Sequence, residues 1–355
     1  MADSEFDDVM AAIREQWASM AGMAGMFTFS ILLGVFIQPY YNFEMFRAFG
    51  EEGTTEAGNI LFELVMIFLF TIGIIWLARK GLEVLIKVVV FFALGYSLLM
   101  ALQPILSIVF WLMGLQNGNV GLVILLGMTG GMMYTLHRFP EWYVVNTVGL
   151  LVGSGVIVML GIAFVPVLII LFMVLAAIYD HWAVNGSKHM LELADTMIDL
   201  KLPVLLVAPK STDYTFLEQD GDVMKKSHSE PVVPPVDSMP PKKAKGRDAL
   251  FMGLGDVIFP GMLVISSITF LPETGPVVFD FWGGNHIPIT LGPMIVGMGT
   301  LVGGLVGYAA LMTQVARGKP QAGLPLLNGG SILGYLISGT IALGFGKLWQ
   351  DITFL

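Results

Sequence analysis

Cysteine is absent from this chain and charge is scarce, with only 13% of its 355 residues Asp, Glu, Lys or Arg. The first absence excludes disulfides, thiolate metal sites and cysteine nucleophiles together. The second excludes an ordinary water-facing surface, because soluble domains carry about 25% charged residues. Histidine is thin as well: His137, His181, His189, His228 and His286 are scattered without HExxH-type spacing, so a metal centre is not expected. No cleavable leader is expected either, since the N-terminus is acidic at Asp3, Glu5, Asp7 and Asp8 and no short apolar stretch precedes a small-residue cleavage site. The net charge of −9 is carried by loops of both signs and points to no nucleic-acid partner.

What the chain has in abundance is apolar length. Hydrophobic residues make up 55% of it and the mean hydropathy is +0.78. A helix needs about 20 mostly apolar residues to cross the hydrocarbon core. About nine such runs occur, near Ala18–Gln38, Asn59–Ala78, Val84–Met113, Val120–Leu136, Tyr143–Gly161, Ala163–Val184, Ala249–Leu271, Ile289–Thr313 and Leu326–Gly346. The pattern predicts an all-α polytopic membrane protein. Pro104 interrupts the third run, which is therefore expected to tilt or kink.

Lys and Arg give an independent reading of topology. Arg14, Arg79, Lys80, Lys87, Arg138, Arg317 and Lys319 all fall on one side of such an arrangement, as do the nine basic residues between spans six and seven. Only Arg47 and Lys347 fall opposite. The positive-inside rule then places the N-terminus in the cytoplasm and the C-terminus outside. The one large polar segment is 185–248, and its stretch Ser227–Lys245, rich in Pro and Lys, reads as a flexible tether. It divides the chain into a six-span part, 1–184, a cytoplasmic loop, 185–248, and a three-span part, 249–355. Within the loop, Leu202–Ala208 is apolar and β-branched but too short to span, which suits a strand or an interfacial segment.

Ionisable groups inside spans cost about 2.5–3.5 kcal/mol on insertion scales and are functional candidates for that reason. Glu83 and Lys87 sit four apart at a helix end and read as a snorkelling pair. Glu63 reads as a structural carboxylate near an interface, and His181, next to Asp180, points to another helix face. Asp180 and Asp256 differ from these. Asp180 lies about four residues, or roughly 6 Å, before the cytoplasmic end of span six. Asp256 lies about seven residues, or roughly 10 Å, after the cytoplasmic start of span seven. Two carboxylates on consecutive spans thus reach similar depth, the arrangement that acid/base catalysis requires. Gly253-Leu254-Gly255 before Asp256 allows close backbone approach. Gly149, Gly153, Gly299, Gly303, Gly307, Gly330 and Gly334 are read as helix-packing positions.

Tyr179-Asp180 on span six, Gly253-Leu254-Gly255-Asp256 on span seven and Pro325-Leu326-Leu327 at span nine together resemble the presenilin and signal-peptide-peptidase family of GxGD intramembrane aspartyl proteases. The resemblance covers the whole chain and is nearest to an archaeal presenilin homologue. The departure is Leu326, where the family motif has alanine. The resemblance implies Asp180 and Asp256 as catalytic pair. Tyr179, Gly253, Leu254, Gly255, Pro325, Leu326 and Leu327 would support them, with no metal or cofactor. It also implies transmembrane helical substrates in a lipid bilayer, and places Leu202–Ala208 where relatives pair a strand with substrate. A homo-oligomer is left open. The rival reading is a secondary transporter or cation pathway using the same buried carboxylates. Its mark would be inverted internal repeats, which an arrangement of six and three spans about a tether does not suggest.

Overall fold

Hydrocarbon offers no partner for a backbone N–H or C=O, so an apolar run within it has to bond to itself as a helix. The chain follows that constraint in a computed structural model that describes residues 2–114, 118–182, 205–210, 214–215, 249–281, 286–316 and 323–353. Nine α-helices lie among the described residues: α1 Ala2–Tyr41, α2 Ala57–Arg79, α3 Glu83–Leu112, α4 Gly118–Arg138, α5 Trp142–Gly161, α6 Pro166–Trp182, α7 Leu254–Phe270, α8 Leu291–Ala316 and α9 Leu324–Ala342. They match the expected runs in order, and α3 continues through Pro104. Seven are long and apolar enough to span a bilayer. The exceptions, α6 and α7, have 17 residues each, about 25 Å of helix against a hydrocarbon core of about 30 Å. They are the two helices that carry Asp180 and Asp256.

The expected span Ala249–Leu271 is corrected at its start. Ala249–Gly253 is a strand, β2, and the helix begins only at Leu254. Its partner is β1, Leu205–Pro209, antiparallel, with Leu205 opposite Gly253 and Pro209 opposite Ala249. A short apolar run does not distinguish helix from strand by periodicity, and here tertiary pairing decides. Asp256 consequently sits third in its helix rather than seven residues into a span. Span eight is trimmed likewise: Ile289–Thr290 forms β4, paired with β3, Val277–Phe279, and α8 starts at Leu291. Of the apolar loop segment, residues 205–208 fall within β1, while 202–204 and the tether 227–245 lie outside the described residues.

α5 and α7 form the centre of the bundle. Eleven residues of α5 are buried, and α7 is buried continuously from Pro260 to Ile268. α1, α3, α6, α8 and α9 pack around them. α2 and α4 are peripheral and bury little beyond Ile60 and Ile74, and Leu125, Thr129 and Leu136. Their exposed Phe62, Phe68, Phe70, Trp76, Leu122 and Val123 would be misplaced in water and suit contact with lipid chains. Small residues let the central helices approach closely. A Cβ on Gly161 would strike Ile265, and one on Gly261 would strike Ile157, so α5 and α7 interlock reciprocally. Along the seam between α8 and α9, a Cβ on Gly303 would meet the Gly330 carbonyl and one on Gly334 the Gly299 carbonyl. These glycines pack as expected. Backbone cannot yield as a side-chain tip can, so Gly303→Ala should lower stability by about 1–3 kcal/mol. Gly131→Ala, where nothing lies within 4 Å, should be neutral or slightly stabilising. Thermal unfolding of both variants in detergent measures the contrast, and equal effects would contradict the packing described.

Candidate active site

The site forms where three helix ends meet. Asp180 is third from the end of α6, and Asp256 is third from the start of α7. Between them comes the start of α9. Asp180 is 9% exposed, and its Oδ2 accepts the Leu324 N–H at 3.3 Å. The first N–H groups of a helix have no partner within it and carry the positive end of its dipole, so a carboxylate suits this position. The preceding residue meets the other carboxylate: a Cβ on Gly323 would stand 3.1 Å from each carboxylate oxygen of Asp256. Consecutive residues of one backbone step thus touch one aspartate each. That places two carboxylates of distant sequence position together.

The flanking motifs divide by what they contact. The Gly253 backbone N–H bonds to the Asp256 carboxylate, and β2 therefore ends at that carboxylate. Leu254 is buried and packs on Gly153 of α5, where an added Cβ would stand 3.1 Å from its Cδ1. Gly255 has no neighbour nearer than Phe259, at 4.0 Å from an added Cβ, so its backbone has room in front of it. The Tyr179 ring is placed between Phe68 of α2 and Trp182. Pro325 is in the first turn of α9, where its fixed φ suits a helix start and its missing N–H costs nothing. Leu327 is fully buried. Leu326 packs on the core with its side chain, and its carbonyl meets Gly307.

Two features were not read from the sequence. Gly323 and Leu324 contact the carboxylates through a missing Cβ and a backbone N–H, and neither belongs to the three motifs. A Gly-Leu-Pro sequence is nevertheless a helix-start signal that points to this step. Asn328, one turn further along α9, is 1% exposed and donates from Nδ2 to the Met173 carbonyl at 3.0 Å. It ties α9 to α6 two turns before Asp180.

The other candidates lie elsewhere. Glu63 is half-buried on α2, and His181 is exposed. Lys87 lies over the Phe91 ring, 5.9 Å from its centroid, while the Glu83 side chain is outside those described. His137 packs edge-on to Phe91, and His286 bonds the Pro39 carbonyl at 3.1 Å. His189 and His228 are outside the described residues. Among the described residues no group of three or more His, Asp and Glu is placed to hold a metal ion.

Two carboxylates brought to one backbone step inside a helical bundle are the arrangement an aspartyl protease needs, here within a membrane protein. Residues 24–345 match the signal-peptide peptidase, presenilin aspartyl protease family, and the chain belongs to it. Two solved structures of a presenilin-family intramembrane aspartate protease are similar. One, in space group C222, has 24% identity and a TM-score of 0.56; the other, in P2, has 26% identity and a TM-score of 0.57. Each covers 92% of this chain, and this chain covers 100% of each. Curated proteins give no match. The transporter reading finds no support in these likenesses. The protein is an intramembrane aspartic endopeptidase.

The contact at Gly323 can be tested directly. A methyl at 3.1 Å from both oxygens would displace the Asp256 carboxylate. Gly323→Ala should therefore lower kcat at least tenfold, about 1.4 kcal/mol of barrier, with unfolding temperature nearly unchanged. Wild-type kcat in this variant would contradict the placement.

Proposed function

We propose that Asp180 and Asp256 together hydrolyse peptide bonds within transmembrane helices of membrane-protein substrates. The observation that carries this reading is the convergence of both carboxylates on the Gly323–Leu324 step. In the resting pair one carboxyl is ionised and the other protonated, because like charges held close do not both ionise. The carboxylate takes a proton from water, whose oxygen attacks the scissile carbonyl carbon. The carboxylic acid gives its proton to the carbonyl oxygen, and a gem-diol results. The C–N bond then breaks as the amine nitrogen takes up a proton from the pair, leaving a new carboxyl and a new amine terminus. Either aspartate can start as base, since such a pair titrates as a unit.

A helical substrate hides its peptide groups in internal hydrogen bonds and has to be unwound before it is cut. Extended peptide binds most readily along a strand edge. The loop strand was expected to offer that edge. The contacts of β1 favour its partner instead: Val207 and Pro209 already bond on the outer side to Asn146 and Ser19. The second edge of β2 leads directly to Asp256, so substrate is assigned to it. Tyr179, Leu254 and Pro325–Leu327 shape the pocket, and the 185–248 loop joins the six-span and three-span parts. The N-terminus is assigned to the cytoplasm and the C-terminus to the outside, from the distribution of Lys and Arg. Kinship with the archaeal branch belongs to the same reading, as does the lack of any nucleic-acid partner.

The test is cleavage of a labelled single-span peptide by the purified protein in lipid, with the new termini sequenced. Asp180→Asn and Asp256→Asn should each abolish new termini, a loss of at least about 10³-fold, while helicity persists. Substantial cleavage by either purified variant would sink the pair. The wild-type rate should follow a bell-shaped pH profile. At the acid limb both carboxyls are protonated and no base remains. At the alkaline limb both are ionised and no acid remains. A profile with a single limb would show that only one of the two titrates in the mechanism.

A further inference from the structure

The two-stranded β1–β2 ribbon needs support, since a ribbon of two strands is marginal by itself. Much of that support comes from side chains on the outer edge of β1. Asn146, 6% exposed on α5, donates from Nδ2 to the Val207 carbonyl at 2.7 Å and accepts the Val207 N–H on Oδ1 at 2.9 Å. This is the pair of bonds that an adjoining strand would make to that residue. Two residues further on, Pro209 has no N–H to offer, and its carbonyl accepts the Ser19 hydroxyl at 2.7 Å. The register explains the alternation. Val207 faces Phe251 and Pro209 faces Ala249, and in an antiparallel pair alternate residues turn their backbone groups outward. The bonds from Asn146 and Ser19 identify 207 and 209 as outward-facing, so Leu206–Met252 and Ala208–Leu250 bond inward. Side chains of α5 and α1 therefore stand where a third strand would lie.

We propose that Asn146, assisted by Ser19, is a positioning residue of the protease: it closes the outer edge of β1 and thereby holds β2 aligned for substrate. The inference rests on the reading that substrate adds to β2. β2 continues without a break into the first turn of α7, and Asp256 is three residues beyond the end of the strand, so any tilt or slip of β2 changes which peptide bond reaches the carboxylates. β1 is the strand that holds β2, and Asn146 fastens the middle residue of β1 to the bundle. Without its amide, both Val207 groups would be buried unbonded, and the strand would have to shift to satisfy them. A neutral amide suits this task because it presents a donor and an acceptor side by side in one plane.

The experiment compares wild type, Asn146→Leu and Ser19→Ala on the same labelled single-span peptide in lipid. Active sites are counted with a hydroxyl-bearing peptide mimic. Expected for Asn146→Leu is a KM raised about tenfold, a smaller change in kcat per active site, and product termini spread to bonds neighbouring the principal cut. Ser19→Ala, a smaller excision that keeps the fold should the first variant be unstable, should spread the termini in the same way with a smaller rise in KM. Folded variants with wild-type KM and a single unchanged cut would overturn the proposal, as would a loss confined to the number of active sites or to the unfolding temperature. A wild-type protein that releases no new termini would instead overturn the cleavage reading itself, and the proposal falls with it.

Discussion

Everything in this molecule answers to the cost of holding two carboxylates at the edge of hydrocarbon. Each is expensive alone, and two together repel. The fold reduces that cost by bringing both to a helix N-terminus, where unpaired N–H groups and the helix dipole favour negative charge. The Leu324 N–H on Asp180 at the start of α9, and the Gly253 N–H on Asp256 at the start of α7, are that arrangement in its smallest form. Helix lengths follow from it. α6 ends, and α7 begins, within three residues of an aspartate, and both helices are shorter than a full span. An extended strand rather than another helical turn leads into Asp256.

The rest of the bundle keeps these three helix ends in register. The α8–α9 glycine seam sets the height of α9, because backbone packed on backbone leaves little room to slide. The α5–α7 interlock sets α7 in the same way. Asn328 joins α9 to α6 two turns before Asp180, and Leu254 secures the start of α7 on Gly153. Hydrophobic burial does not discriminate among helices inside a lipid solvent, so close van der Waals packing and buried hydrogen bonds have to. α2 and α4 lack such seams and lie at the periphery.

Much of this was legible in the residues. Apolar length revealed the helices, because a bilayer demands about the same length from every span. Asp180 and Asp256 stood out because charge is so rare in those runs, and their motifs carried the family likeness. Two things were hidden. β2 was merged into span seven because Ala249–Gly253 is as apolar as the helix that follows, and only pairing with β1 separates them. Gly323 and Leu324 were passed over because their contribution is a backbone N–H and an absent Cβ, neither of which side-chain chemistry reveals. Asn146 was silent for a similar reason: an isolated Asn in an apolar helix gives no hint that a strand distant in sequence will lie against it.

The central claim is that the two aspartates act as one unit on a tetrahedral centre. The most direct measurement is the affinity of a transmembrane peptide carrying a hydroxyl in place of the scissile carbonyl, set against the same peptide with its ordinary amide. A site complementary to the gem-diol should bind the hydroxyl compound at least about 10²-fold more tightly. That preference should disappear in both Asp180→Asn and Asp256→Asn. Equal affinity of wild type for the two peptides, or a preference that survives loss of either carboxylate, would contradict the account.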